Sequence, residues 1–150
     1  MKIAVLERNS VGTDIDVTCF EDFGEVTYYR NTVAADAAEK VKDVDIIIAN
    51  KAPMNEETLK DAPNVKLICE FATGFDNIDL EYCKKRGIKV ANVKDYSTAA
   101  VAQHTFALAL YLLEHLPYYD TYVKDGSYGA QDRFSHFDLP FTEFAGKTWG

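Results

Sequence analysis

Basic residues are in deficit: 16 Lys and Arg stand against 24 Asp and Glu, a formal net charge of −8 at pH 7. A sequence-independent nucleic-acid binder needs clustered cations to displace counterions from phosphates, and a protein that sits on anionic lipid needs the same. Both classes are therefore excluded. Cysteine is sparse too. Cys19, Cys69 and Cys83 lie far apart and make no C-x-x-C pair, so they build neither a zinc ribbon nor a thioredoxin-type redox centre. They read as buried small hydrophobes in a reducing cytoplasm. The N-terminal apolar run, Ile3 to Leu6, is too short for a signal peptide or an anchor, and the expected location is cytoplasmic.

Recognised catalytic patterns are missing as well: there is no G-x-S-x-G elbow, no H-E-x-x-H, no Walker lysine loop and no complete G-x-G-x-x-G. What the chain has in quantity is apolar surface. Hydrophobic residues make up 47% of 150 and aromatics 13%, enough for a real core and too much for disorder.

Short apolar runs alternate with longer polar stretches. Ile3 to Leu6, Val26 to Tyr29, Asp45 to Ala49, Val65 to Cys69 and Ile88 to Val90 are strand-length, and the third is nearly continuous, as a strand covered on both faces should be. Between them, Ala34 to Val41, Asn55 to Asp61 and Asp79 to Arg86 have helical spacing, the last opening on a capping Asp and closing before Gly87. Alternating strands and helices imply right-handed crossovers and a mainly parallel sheet. Residues 1–95 therefore read as an α/β domain, a flavodoxin-like three-layer sandwich with a five-stranded sheet.

From Ser97 to Leu116 the pattern changes to an uninterrupted helical run, apolar on almost every face. Such a helix has to be covered on more than one side. A membrane span has the right length, but Gln103, His104, Glu114 and His115 are costly in lipid. A bridging helix over 96–117, between domains or subunits, is the expectation, with His104 making a buried hydrogen bond and His115 at the helix end, where a cation suits the dipole. The tail, 118–150, is aromatic and without clear periodicity. It reads as an irregular arm that packs on a partner.

In open parallel sheets, ligands bind beyond the carboxyl ends of the strands. The segments to inspect are Glu7–Ser10, Asn50–Pro53, Glu70–Phe75 and Asn92–Asp95. The third stands out, because Ala72-Thr73-Gly74 leads into a helix and places flexible backbone where N–H groups can face an anion. A small carboxylate could be held there by main-chain amides, with Lys51 adding positive charge from the neighbouring strand end. The plain alternative is an ordinary turn with a solvated lysine, Asp76 and Asp79 serving only to favour the helix start.

Four blocks carry a resemblance: Ala72-Thr73-Gly74-Phe75-Asp76-Asn77-Ile78-Asp79, Gly87-Ile88-Lys89-Val90-Ala91-Asn92, the run Ser97 to Leu113 with Val101-Ala102-Gln103-His104-Thr105, and Phe144-Ala145-Gly146-Lys147-Thr148-Trp149-Gly150. In order and spacing the chain resembles the D-isomer-specific 2-hydroxyacid dehydrogenases over nearly its whole length, with Gln103 where that family often has Glu. The resemblance implies a flavodoxin-like substrate domain interrupted by a dinucleotide-binding domain, with a long helix crossing between them and joining dimers. It implies that the amides of Thr73 and Gly74 hold the carboxylate of a small 2-keto or 2-hydroxy acid, that Thr73 lies near the nicotinamide of NAD, that Lys51 is a substrate-side neighbour, and that Thr105 is a cleft residue.

In that family the glycine-rich phosphate loop follows a segment similar to Ala145–Gly150, and the catalytic Arg, Glu and His come later still. None of His104, His115 and His136 matches those positions. The expectation is therefore an N-terminal portion that is inactive alone, binds no NAD by itself, and pairs as a homodimer through Ser97–Leu116 and the arm. A stand-alone receiver or flavin module is the alternative. A receiver needs an acidic pair after the first strand and an Asp ending the third, whereas Glu7 is alone and Asp45 starts its strand; a flavin module needs a phosphate loop, of which Ser10-Val11-Gly12-Thr13 is a faint echo.

Overall fold

The five apolar runs pair side by side. In the computed structural model, which describes residues 1–150, β1 (Lys2–Val5), β2 (Glu25–Tyr28), β3 (Ile46–Ala49), β4 (Leu67–Glu70) and β5 (Lys89–Ala91) form one sheet in the order β2-β1-β3-β4-β5. Every pairing is parallel, with Ile3 beside Ile46, Ile47 beside Ile68 and Cys69 beside Ala91. β1, β2 and β5 are each displaced by one residue from the expected runs.

Alternation along the strands sorts side chains to two faces. Ala4, Leu6, Ile47, Ala49 and Ile68 point to one, where Val41, Leu59 and Cys83 pack on them from the helices α1 (Ala34–Val41), α2 (Glu56–Leu59) and α3 (Leu80–Arg86). Ile3, Val5 and Ile48 point to the other, under Phe20 of the 3-10 helix Thr18–Phe23. The strand order explains this asymmetry. Three crossovers run from β2 to β3, β4 and β5 in the same direction, so right-handedness puts α1, α2 and α3 on one face and leaves the β1–β2 connection on the other.

Local chemistry starts and stops each helix. The Asp36 carboxylate accepts from Val33 N at 3.0 Å and pairs with Lys40 at 2.7 Å in α1. Asn55 Oδ1 accepts from Thr58 N at 3.1 Å to cap α2, and Asp79 Oδ1 accepts from Tyr82 N at 2.9 Å to cap α3. α3 ends on Gly87 at φ +71°, its N–H returned to Cys83 and Lys84 carbonyls. Of the three cysteines only Cys83 is buried; Cys69 is half-buried, and Cys19 is exposed because it lies on the thin 3-10 layer.

Residues Met1–Tyr96 make one compact unit and Ser97–Gly150 a second. The second corrects three expectations. Its first helix, α4 (Thr98–Leu113), stops short of Leu116, because His115 takes a left-handed conformation at φ +51° and turns the chain. A second helix then starts where the bridging helix was expected to end: α5 (Leu116–Lys124) has Pro117 in its first turn, where a missing N–H costs nothing. With α6 (Ser127–Ala130), the stretch expected to be irregular contains two helices.

No residue of α4 is buried, and His104 is exposed without a hydrogen bond, because the apolar surface of this helix is not enclosed by the chain's own residues. Val101, Phe106, Leu108 and Leu112 lie open, and the Phe106 ring packs at a tilt of 33° against Trp149, centroids 4.5 Å apart, beside a groove of about 550 Å³. Further along, His136 Nε2 meets Tyr118 Oη at 2.7 Å, and its ring lies 4.1 Å from that of Tyr122. No helix is long and apolar enough to cross a membrane.

Two substitutions separate packing from backbone geometry. Leu59→Ala, which empties a fully buried position, is expected to cost about 2–5 kcal/mol in urea unfolding. Gly87→Ala is expected to cost about 1–2 kcal/mol, since a Cβ there meets nothing within 4 Å and only the left-handed φ is penalised. Equal losses would contradict that division.

Candidate functional site

The sheet reverses its winding between β1 and β3, the point at which open α/β sheets offer a crevice beyond the strand ends. Here the crevice is filled by the protein's own anion. Glu7, two residues past β1, is buried, and its carboxylate accepts from Asn50 N at 2.6 Å and from Lys51 N at 2.9 and 3.0 Å. The amides after β3 are thereby satisfied and unavailable to a ligand.

One strand further along the situation differs. After β4, Phe71 N returns to Ala49 O at 2.8 Å, and the loop is then pinned to the end of β5: Thr73 Oγ1 donates to Val93 O at 2.8 Å, Asn92 Nδ2 donates to Thr73 O at 2.7 Å, and Val93 N donates to Ala72 O at 3.0 Å. These bonds use the carbonyls and the hydroxyl. The N–H groups of Thr73 and Gly74 donate to nothing in the protein and lie at the surface. Gly74 does not have a left-handed φ, and the closest atom a Cβ would meet is Asp76 Oδ1 at 3.4 Å. The fold itself makes no demand for glycine there, whereas close approach of a ligand to backbone does.

The far end of this loop is stapled to the Lys51 segment. Asn77 Nδ2 donates to Ala52 O at 3.0 Å and to Glu70 Oε2 at 3.3 Å, and Met54 N donates to Asn77 O at 2.9 Å. Lys51, Thr73 and Gly74 thus lie beyond adjacent strand ends, on loops tied to one another. The Lys51 ammonium is exposed and has no ion-pair partner. Asp79 serves as a helix cap, while Asp76 makes no hydrogen bond. Thr105 is on α4 in the second unit, exposed, its hydroxyl returned to Val101 O at 2.8 Å.

Two residues at these strand ends carry more than sequence reasoning assigned to them. Glu7 looked like an unpaired acid and is a buried acceptor for two amides. Glu70 closes β4 with 2% of its surface exposed, and its Oε1 has no partner. Burial pushes its carboxyl up from 4.5 to about 7; Glu7 and Asp76 push the same way, while the Asn77 hydrogen bond and Lys51 oppose them. The available signal was a charged residue ending an apolar strand, in register with Ala49.

The same geometry disposes of other chemistries. Asp45 lies at the opposite end of β3, accepting from Lys2 N at 2.9 Å, so no acidic pocket of the receiver type forms. In the loop after β1, Arg8 draws the carbonyls of Val11, Gly12 and Ile15 inward at 3.0–3.3 Å. A phosphate loop presents N–H groups, the opposite polarity. No cluster of metal-ligating side chains exists.

A parallel α/β domain with open amides at one strand end is able to present backbone N–H groups to an anion. The family described as D-isomer specific 2-hydroxyacid dehydrogenase, catalytic domain, matches residues 3–146, and the chain belongs to it. It is 33% identical to a hydroxypyruvate reductase of Blautia hydrogenotrophica over 100% of this chain and 48% of that protein, and 33% identical to a glycerate dehydrogenase of Methylorubrum extorquens over 99% and 47%. Among solved structures it resembles a D-lactate dehydrogenase from Aquifex aeolicus, complexed with NAD and lactic acid, at 31% identity and a TM-score of 0.69, over 89% of this chain and 39% of that one. The chain spans about half the length of the curated relatives it matches.

Glu70 gives the stability a defined pH dependence. Its folded form binds a proton between about 4.5 and 7 while the unfolded chain does not, so the stabilisation is complete below about 4.5 and is lost as pH rises to about 7. The lowered carboxyls of Asp16, Asp36 and Asp45, held down chiefly by hydrogen bonds from Thr18, Lys40 and the Lys2 amide, act in the opposite sense, losing stability only as pH falls below their ordinary 3.8. The difference in unfolding free energy between Glu70→Gln and wild type is expected to favour the variant by about 2–3 kcal/mol more at pH 8 than at pH 5. A constant difference would refute the assignment.

Proposed function

We propose that these residues are the substrate-side half of an NAD-dependent D-2-hydroxyacid dehydrogenase, an enzyme that interconverts a small 2-keto acid and the D-2-hydroxy acid by hydride transfer. The observation that carries the reading is the pair of free amides at Thr73 and Gly74, with the Lys51 ammonium on the adjoining loop. Two unbonded N–H groups on consecutive residues and a cation on the adjoining loop suit a carboxylate, and they would orient the substrate by its invariant end. The names of the relatives, hydroxypyruvate reductase and glycerate dehydrogenase, favour a three-carbon acid.

Glycines with left-handed φ, namely Gly87, Gly126 and Gly146, stand singly, and no G-x-G-x-x-G occurs. The cradle for NAD, which would supply the hydride acceptor or donor, is assigned to another part of the enzyme; the family resemblance puts Thr73 and Thr105 on the cofactor side, and this chain alone is expected to carry out no turnover. Covering α4 with a second copy, through Ser97–Leu116 and the arm, accounts for its open Val101, Phe106, Leu108 and Leu112. Unpaired cysteines suit a reducing cytoplasm.

Titration of the chain with D-glycerate is expected to move the Thr73 and Gly74 amide resonances, and Gly74→Val to weaken that binding at least about tenfold by placing a side chain against the carboxylate. NADH fluorescence is expected to show no micromolar binding; turnover or such binding would overturn the assignment of the cofactor cradle to another part of the enzyme. Light scattering is expected to give a dimer, reverting to monomer in Leu112→Lys. A wild-type chain that stays monomeric at high concentration would rule out the second copy.

A further inference from the structure

Carboxylate binding by the Thr73–Gly74 loop leaves a buried ionisable group beneath it unused. Glu70, three residues before Thr73, has Oε2 at 3.3 Å from Asn77 Nδ2 and Oε1 facing no donor. Asn77 ends the same loop, and its amide also donates to Ala52 O at 3.0 Å. One side-chain pair therefore closes the base of the loop and ties it to the segment that follows Lys51. A carboxylate held in the protein interior collects donors, as Glu7 collects the amides of Asn50 and Lys51. A carboxyl with one oxygen bonded to a single neutral amide and the other without any partner lacks the donors that a buried ionised form needs.

We propose that Glu70 is a positioning residue for the carboxylate-binding loop: through Asn77 it holds Thr73 and Gly74 in place, and by its own charge it sets how firmly that loop retains an anion. This rests on the reading that Thr73 and Gly74 take the substrate carboxylate. The groups around Glu70 come from three loops: Glu7 after β1, Lys51 after β3, and Asp76 with the neutral Asn77 from its own loop. One cation thus faces two anions. An ionised Glu70 adds a third negative charge where the substrate carboxylate arrives, and a protonated Glu70 adds none.

Since burial keeps the acid form up to about 7, anion binding is strongest in mildly acidic solution and falls as pH rises. The substrate carboxylate, with an ordinary value near ~3.5, is ionised throughout and contributes nothing to that change.

The test uses D-glycerate as probe, with ¹H–¹⁵N spectra of the 150-residue chain at pH 6 and pH 8, reading the Thr73 and Gly74 amides. Wild type is expected to bind about tenfold more weakly at pH 8. Glu70→Gln, which retains an acceptor for Asn77 and cannot ionise, is expected to bind equally at both pH values, close to wild type at pH 6. Glu70→Ala, without the bond to Asn77, is expected to bind weakly at both. Wild-type affinity that does not change with pH, or a Glu70→Gln variant that keeps the wild-type pH dependence, overturns the role of Glu70 and leaves the carboxylate loop standing. Silence of both amides toward D-glycerate at either pH overturns the loop reading and this one with it. The ¹³C titration of the Glu70 carboxyl in wild type needs no variant: a midpoint near 7 is expected, and one below 5 refutes the proposal.

Discussion

At the C-terminal edge of a parallel sheet every strand delivers its last amides into a loop, and each of those N–H groups has to find an acceptor. In this protein Glu7 answers that demand for β3, placing a buried carboxylate against the amides of Asn50 and Lys51 at the point where the winding reverses. The rest of the site follows from that occupancy. The usual crevice is closed to anions, the open amides lie one strand further at Thr73 and Gly74, and Lys51 is held by its own backbone beside them. The bonds from Asn92 and to Val93 then fix the loop without using its N–H groups.

The same edge gathers three acidic groups around one lysine, and the protein treats the acids differently. Glu7 is surrounded by donors, Asp76 is in water, and Glu70 is enclosed with a single weak partner. Burial without donors raises a carboxyl, and a carboxyl so raised is a neutral polar group in mildly acidic solution. The acidic end of β4 is thereby joined through Asn77 to the loop that follows it and to the segment after Lys51.

Much of this was legible before any coordinates. The period of the apolar runs, the capping Asp79 and the stop at Gly87 are local signals, and the strands and helices of the first unit appear where those signals lie, within two residues. Thr73-Gly74 was legible as a loop between a strand and a helix, a place where an ordinary turn and an anion loop have the same local signal. In the second unit local signals misled. Pro117 has the same identity whether it ends one helix or begins the next, and only the left-handed turn at His115 decides between them. His104, expected to be buried in an apolar helix, lies open because enclosure depends on what covers the helix.

The sequence by itself determined the alternation of strands and helices, hence a parallel sheet, because both depend on residue spacing and backbone permissiveness. Tertiary structure alone decided that Glu7 closes the crevice at the reversal, that Glu70 is enclosed without a full set of donors, and that Asn77 joins two loops. Those are contacts between residues 7 to 44 positions apart. Burial and pairing of a charge are properties of its surroundings, and no window along the chain contains them.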